Sequence, residues 1–240
     1  MMPTSIRLNK LIAQTSDLSR RAADDAISKG EVTVNGKAVA ELGLQVNPYK
    51  DRIALKGRTL SVKADHTYIM FHKPRGCLVT KSDPQKRPII WDHLQKFKSQ
   101  ANAVGRLDFD SEGLLIITSD GDLAHKLTHP SHEIKKRYQV KVRRELTEKK
   151  MSQLRKGVKL KEGITAPAKV RKLKEESDGT WIEIEIHEGW NRQIRRMCEK
   201  VDLLVIRLRR ISVGPLVLGR LRGGMWRFLK GDEIKKLKRI

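Results

Sequence analysis

The chain has 240 residues and is strongly basic, because 51 Lys and Arg stand against 28 Asp and Glu, a formal net charge of +23. Such an excess indicates a polyanionic partner, above all a nucleic acid, since a bound anion relieves the self-repulsion. With no long apolar stretch, no signal-like N-terminus and two cysteines, Cys77 and Cys198, we expect a cytoplasmic protein with buried thiols and no membrane partner.

The first sixty residues predict a small module of two helices and several short strands. Leu8, Leu11 and Ile12 have helical spacing, and Ser19 is a suitable N-cap for a second helix. The other predicted elements are that helix, residues 20–29 with a stop at Gly30, a hairpin that turns at Asn35-Gly36, and strands over 52–55 and 59–62.

A second domain is predicted to follow, so that residues 1–64 form one domain and residues 65–240 the other. It begins with a strand from Tyr68 that a Pro-Gly turn closes at Gly76. Segments 135–142 and 180–186 alternate with period two, which is typical of antiparallel strands with one solvated face. A helix from Thr147 to Gly157 and the segment 232–239, which is either a short helix or a frayed tail, complete an α+β pattern. The charge is concentrated at the end, since residues 190–240 hold 15 Lys and Arg against 4 Asp and Glu.

The segment from Gly105 to Leu115 contains the main candidate for a catalytic group. Asp108 lies in a polar turn, just before an apolar run over 114–117 that predicts a buried strand. Loops at the ends of buried strands often carry catalytic residues. The residues alone leave alternatives open: Asp110 or Glu112 could pair with Asp108 as in a glycosidase, or the aspartates could simply form the turn.

Two later segments add candidates whose roles the residues alone do not decide. Tyr138 lies on a predicted strand, where a tyrosine usually packs in a core. The segment from Glu188 to Met197 predicts a strand end, a turn and a basic helix with Asn191 as its cap. Three histidines cluster at His125, His129 and His132, but no thiol or paired carboxylate completes a metal site, and Asp122 is predicted to cap a helix instead.

Together these segments resemble a known family. The run from Gly105 to Leu115 is similar, nearly residue for residue, to the active-site motif of the RsuA family of bacterial rRNA pseudouridine synthases. The resemblance continues through Tyr138, the Glu188–Met197 segment and the closing segments 205–216 and 223–229, and so covers nearly the whole chain. Residues 1–64 resemble the RNA-binding module of ribosomal small-subunit protein four, the alpha-L motif.

The chain departs from the family pattern at two positions. Trp190 stands where the family more often has a basic residue, and Asp202 where it tends to have glycine. Segment 81–88 is similar to the branch that modifies large-subunit rRNA, so we favour that subunit.

The resemblance implies an α+β catalytic domain with a mixed, mostly antiparallel sheet, and an isomerase that needs no cofactor and no metal. Asp108 would be the nucleophile that acts on a flipped-out uridine, and Arg195 would form a salt bridge that keeps it ionised. Tyr138 would stack on the base and assist proton transfer, Arg106 would fill the space the base leaves, and Leu208 would line the base pocket. Cations implied to contact RNA are Arg7, Lys10, Arg20, Arg21 and Lys37 in the first domain and Arg192 and Arg196 in the second.

The expected partner is ribosomal RNA, either naked or in assembling particles, and the expected state is a monomer. Two other functions stay open at this point. A non-catalytic RNA-binding factor for ribosome assembly or stalled ribosomes would need residues 1–64 but not Asp108, Tyr138 and Arg195. A nucleosidase-like hydrolase would need a second acid near Asp108 and would release uracil.

Overall fold

The computed structural model describes residues 5–60 and 66–240. The chain divides into two compact units, and the division falls between Thr67 and Tyr68. The boundary predicted between residues 64 and 65 lies outside the described residues. Within the described ranges, none of the helices is both long and apolar enough to cross a membrane.

The first unit contains the two predicted helices and short strands. Its elements are β1 (Ile6–Arg7), α1 (Leu8–Thr15), α2 (Arg20–Ser28), β2 (Val32–Val34), β3 (Lys37–Val39), β4 (Gln45–Val46), β5 (Ile53–Leu55) and β6 (Arg58–Thr59). Strands β3, β2, β5 and β6 form one sheet in that order, and β1 pairs with β4. Ser61 and Val62, which end the strand predicted over 59–62, lie outside the described residues.

Local sequence signals account for these elements. The Ser19 hydroxyl accepts a hydrogen bond from Ala22 N at 3.2 Å. Ser19 is thus the N-cap of α2, which confirms the predicted cap. Asn35 and Gly36 have φ values of +52° and +82°, the left-handed pair that a tight hairpin turn needs. Leu8, Leu11 and Ile12 are buried against α2, as their spacing predicts.

The second unit is built on a nine-stranded sheet. Its strands are β7 (Tyr68–Lys73), β8 (Asn102–Val104), β9 (Glu112–Thr118), β10 (Lys136–Arg143), β11 (Lys169–Glu176), β12 (Gly179–Ile186), β13 (Leu204–Val213), β14 (Leu216–Val217) and β15 (Trp226–Phe228). Its α-helices are α3 (Gly121–Thr128), α4 (Glu148–Lys156), α5 (Gln193–Lys200) and α6 (Gly231–Lys238).

The sheet is mixed and mostly antiparallel, which confirms the predicted fold class. Its order is β11-β12-β10-β13-β9-β7-β15, with β14 beside β13 and β8 beside β9. Only β9 and β13 run parallel among the described strand pairs. This junction brings the chain before β9 close to β13 and β10.

Burial explains the two kinds of strand pattern. Every residue of β9 is buried, because apolar side chains from α3 and α6 cover one of its faces and residues 89–101 cover the other. A strand covered on both faces reads as a continuous apolar run. By contrast, β12 alternates between buried and half-buried residues, because α4 and α5 cover one face of this half of the sheet.

Strands β9 and β13 meet at a position that only glycine can occupy. Gly113 has a φ of +115°, and a Cβ atom there would lie 2.2 Å from the Arg210 carbonyl oxygen. Any side chain would therefore push the two strands apart. The glycine fixes the end of the Asp108 turn against β13.

Two predicted caps are wrong. Helix α5 begins after Arg192, not Asn191, and no side chain caps it; Arg192 has a φ of +48°. Helix α3 is capped by the Asp120 carboxylate, which accepts a hydrogen bond from Leu123 N at 2.9 Å, while Asp122 lies in its first turn. In both cases a neighbouring residue with different backbone angles occupies the cap position.

Other predictions in this unit are confirmed. Thr147 caps α4, and Gly157 ends it with a φ of +98°. Both cysteines are buried and unpaired. Asp202, the departure from the family pattern, has a φ of +58°, a conformation that glycine adopts without strain.

Candidate active site

A cavity of about 350 Å³ opens in the second unit where the Asp108 turn faces β10, β13 and the start of α5. Five of the predicted site residues line it: Arg106, Asp108, Tyr138, Arg192 and Leu208. They come from segments up to about a hundred residues apart, and the sheet topology brings them together. The structure therefore brings these segments together around one cavity.

Hydrogen bonds to main-chain carbonyls hold the Asp108 turn, and two of them come from a lysine that the sequence analysis missed. Ser111 N donates to the Asp108 carbonyl at 3.1 Å. The fully buried Lys73 Nζ donates to the carbonyls of Pro74, Asp108 and Ser111 at 2.8–3.0 Å. Burial lowers the pKa of Lys73 to about 8, an effect that the nearby carboxylates oppose. A lysine directly before a proline at the end of an apolar strand was the available signal.

The predicted ion pair between Arg195 and Asp108 does not form within the described part of the chain. Arg195 instead binds Asp110, with Nη2 3.1 Å from Oδ2 and 3.1 Å from the main-chain oxygen. Arg192 also binds the Asp110 carboxylate, at 3.1 and 3.3 Å. The physical reason is the turn, which presents Asp108 to the cavity and Asp110 to α5.

Charge pairing sets the electrostatics of this turn. Burial would raise the pKa of Asp110, but Arg192 and Arg195 together lower it below its ordinary value. Burial lowers the pKa of Arg195, and the charges of Asp110 and Asp108 oppose that effect. The ionised Asp110 thus ties the turn to α5, so the prediction that it only forms the turn is incomplete.

Tyr138 and Leu208 form an apolar wall of the cavity. Both are buried, and each lies on a strand of the central sheet, Tyr138 on β10 and Leu208 on β13. The same wall includes Ile186 on the neighbouring β12. A flat apolar wall of this kind suits a planar ring.

The acids near Asp108 do not form a glycosidase-like pair with it. Glu112 is held by Arg207, with Nε 2.6 Å from Oε1, and by Arg209 at 3.3 Å. Burial would raise the pKa of Glu112, but these arginines lower it below its ordinary value. Among the described residues that line the cavity, Asp108 is the single acidic side chain.

Some predicted site residues lie elsewhere. Arg196 forms a bidentate pair with Glu162, at 2.8 and 2.9 Å, and does not line the cavity. In the first unit Arg7, Arg20, Arg21 and Lys37 are exposed, and Lys10 is half-buried. The rings of His125, His129 and His132 pack at 5.0 and 6.1 Å, and residues 5–60 and 66–240 contain no group suited to hold a metal ion.

The further cavity residues that the sequence analysis missed include Ser111, Lys136 and Arg210. Lys136 had a signal, since it lies two residues before Tyr138 and therefore shares its side of the strand. Ser111 and Arg210 had none, because only the meeting of β9 and β13 brings them to the cavity.

Comparison with known proteins defines the class. Residues 67–200 match the family of RNA pseudouridylate synthases, and residues 6–49 match the S4 domain. The chain belongs to the RNA pseudouridylate synthase family, in its RsuA branch with an N-terminal S4 domain, and its members are isomerases.

Individual relatives extend this match over the whole chain. This chain is 38% identical to the ribosomal large subunit pseudouridine synthase B of Bacillus subtilis (strain 168). The alignment spans 236 residues and covers 98% of this chain and 96% of the relative. The protein of that name from Yersinia pestis is 38% identical over 226 residues, 91% of this chain and 71% of the relative. A crystal structure of a pseudouridylate synthase aligns with a TM-score of 0.69 at 31% identity over 97% of this chain and 99% of that one.

Proposed function

We propose that this protein converts a specific uridine of large-subunit ribosomal RNA into pseudouridine, with Asp108 as the nucleophile. The observation that carries the proposal is the position of Asp108, a lone acid in a cavity wide enough for a nucleobase. Family membership supports the reaction, and the names of the two bacterial relatives support the target.

The reaction moves the uracil ring without changing its composition. The bond between N1 and C1′ of the ribose breaks, a bond between C5 and C1′ forms, C5 loses a proton and N1 gains one. No electron or group is exchanged with another molecule, so the chain's own residues suffice. Because these atoms are hidden in stacked RNA, the uridine has to leave the stack and enter the cavity.

The other site residues serve this step. Asp108 attacks the ribose or the ring, and Arg195 acts as a positioning residue that holds the turn through Asp110. Arg106, exposed at the cavity, occupies the space that the base leaves. Leu208 contacts the ring, and Arg192 lies at the cavity where an RNA phosphate can reach it.

Tyr138 is proposed to stack on the ring and assist proton transfer. We expect Tyr138→Phe to keep RNA affinity within about threefold and to slow a single turnover by roughly 10²-fold, because the ring persists while the phenol is lost. Rapid-quench measurement of pseudouridine and a binding titration check this. An unchanged rate would contradict the role of Tyr138 in proton transfer and leave only its stacking on the ring.

The N-terminal residues are proposed to anchor the RNA. We assign residues 1–64 to RNA binding and residues 65–240 to catalysis. Arg20 and Arg21 occupy the first turn of α2, where cations are unfavourable unless an anion is bound. With Arg7, Lys10 and Lys37 they would position the RNA through its phosphates. We propose that the protein acts in the cytoplasm as a monomer, on rRNA or on assembling particles.

Pseudouridine mapping tests the proposal directly. Ribosomal RNA from cells that lack this gene is treated with the pure protein and probed by carbodiimide adduct formation and primer extension. We expect one new stop in large-subunit RNA and no free uracil. Release of uracil would identify a hydrolase. Tight binding without a stop on naked RNA or assembling particles would identify a non-catalytic RNA-binding protein.

A further inference from the structure

Two basic side chains in the cavity have no acidic partner. Lys136 on β10 and Arg210 on β13 both line it, and neither forms an ion pair with any residue in the described ranges. Arg210 is paired across the strands with Tyr138, and only 5% of it is exposed. Lys136 lies two positions before Tyr138 on β10, and all three residues line the same cavity.

Main-chain carbonyls hold the two cations without neutralising them. Lys136 Nζ donates to the carbonyls of His187 at 2.9 Å and Glu188 at 3.5 Å. Arg210 Nε donates to the Leu114 carbonyl at 2.8 Å. Burial and, to a smaller extent, the charge of Arg210 together lower the pKa of Lys136 to about 8. Two like charges that interact across one partly closed cavity are unfavourable until an anion joins them.

The other charged groups of the cavity do not supply that anion. Arg106 adds positive charge, Arg192 is paired with the Asp110 carboxylate, and Asp108 is the one acid on the described lining. The side chain of Glu188 accepts hydrogen bonds from Ala166 N and from Gln193 Nε2, at 3.1 and 2.6 Å, and does not reach Lys136 within the described hydrogen bonds. The net charge of the lining favours a ligand with negative oxygen.

We propose that Lys136 and Arg210 form a subsite for a negatively charged oxygen of the substrate nucleotide. Two oxygens have this chemistry, a backbone phosphate and a uracil carbonyl that becomes charged during the reaction. The inference rests on the proposed function and adds two substrate-contacting residues to it.

The bond changes of the reaction explain how a uracil carbonyl oxygen becomes negatively charged. If Asp108 attacks C1′, the electron pair of the broken N1–C1′ bond remains on the ring and is shared with its carbonyl oxygens. If Asp108 attacks C6, the electron pair of the C5–C6 double bond moves to the C4 carbonyl oxygen. Both routes place negative charge on a carbonyl oxygen until C5 joins C1′ and N1 takes up a proton. Fixed cations beside that oxygen accelerate the step.

The test separates rate from binding. Lys136→Met keeps the apolar stem and removes the charge, and Lys135→Met removes the same charge from the exposed neighbouring residue as a control. Single-turnover rates are measured with each protein, and RNA dissociation constants are measured in an Asp108→Asn background. Arg210→Met is the second variant, and thermal unfolding shows which variants are folded.

The outcomes show whether the bound oxygen belongs to the uracil ring or to a backbone phosphate. A rate loss of roughly 10²-fold at unchanged affinity assigns the oxygen to the uracil ring. A matching loss of affinity assigns it to a phosphate. If both folded variants stay within about threefold of the Lys135→Met control in rate and in affinity, the subsite does not exist. Absence of pseudouridine with the unmodified protein would instead contradict the proposed function itself.

Rescue and pH dependence exclude a purely structural role. Lys136→Arg restores a permanent charge, so we expect it to recover most of the rate lost in Lys136→Met. Because the pKa of Lys136 is lowered to about 8, the rate of the unmodified protein should fall above that pH relative to the rate of Lys136→Arg. Identical pH profiles, or no rescue, would contradict a role for the Lys136 charge.

Discussion

Asp108→Asn is expected to lower the single-turnover rate of pseudouridine formation by at least about 10⁴-fold, because it removes the nucleophile. The fold should persist. The turn is held through the main-chain oxygen of Asp108, which accepts hydrogen bonds from Ser111 N and Lys73 Nζ, and asparagine keeps the shape of the side chain. The measurement is a rapid-quench time course on the mapped rRNA fragment, with thermal unfolding of both proteins.

Asp110→Asn is the matched control. It removes a carboxylate two residues away that binds Arg192 and Arg195 but does not line the cavity. A positioning residue of this kind should cost about 10- to 10²-fold in rate. If Asp108→Asn retains more than a tenth of the rate, or Asp110→Asn is the more damaged variant, Asp108 is not the nucleophile.

Lys73→Met is expected to be the most destabilising of these substitutions, lowering the free energy of unfolding by about 2–4 kcal/mol. It removes the ammonium donor that the carbonyls of Pro74, Asp108 and Ser111 share. The Asp108 carbonyl keeps its hydrogen bond from Ser111 N, whereas the bond to the Ser111 carbonyl, which is buried, is lost. Removing a buried charge offsets part of that cost. Because the same hydrogen bonds hold the Asp108 turn, the single-turnover rate should also fall, by about 10²-fold or more. Urea unfolding and rapid-quench kinetics measure the two effects.

The pH dependence of stability provides a second readout for Lys73. Its pKa is about 8 in the folded protein, below the unfolded value of about 10.4. Between these values the unfolded chain binds more protons, so the contribution of Lys73 to the free energy of unfolding is smallest below pH 8 and rises towards pH 10.4. The stability difference between the unmodified protein and Lys73→Met should therefore grow with pH. A constant difference would show that Lys73 titrates normally and is not held as described.

Lys98→Met is a suitable control for this series, since Lys98 is an exposed lysine outside the cavity. It should leave stability within about 0.5 kcal/mol and the rate unchanged. If Lys73→Met behaves like this control, the three carbonyls do not depend on the ammonium group.

Much of the fold could be predicted because its signals are local. The Ser19 and Thr147 caps, the Asn35-Gly36 turn and the alternation of β12 each depend on residues within a few positions of one another. The continuous apolar run in β9 correctly predicted a buried strand. The wrong caps at Asn191 and Asp122 show the limit, because neighbouring polar residues compete for one cap and the surrounding packing selects the backbone angles.

The sequence by itself determined the class of protein, its basic charge and the catalytic candidates Asp108 and Tyr138, since these depend on motifs along the chain. Only the tertiary structure decided that Arg195 binds Asp110, that Lys73 holds the Asp108 turn, and that Lys136 and Arg210 share the cavity. Each of these contacts joins residues at least 35 positions apart. Such pairs form when strand order and side-chain direction bring the residues together. Neither strand order nor side-chain direction can be predicted from a local sequence pattern.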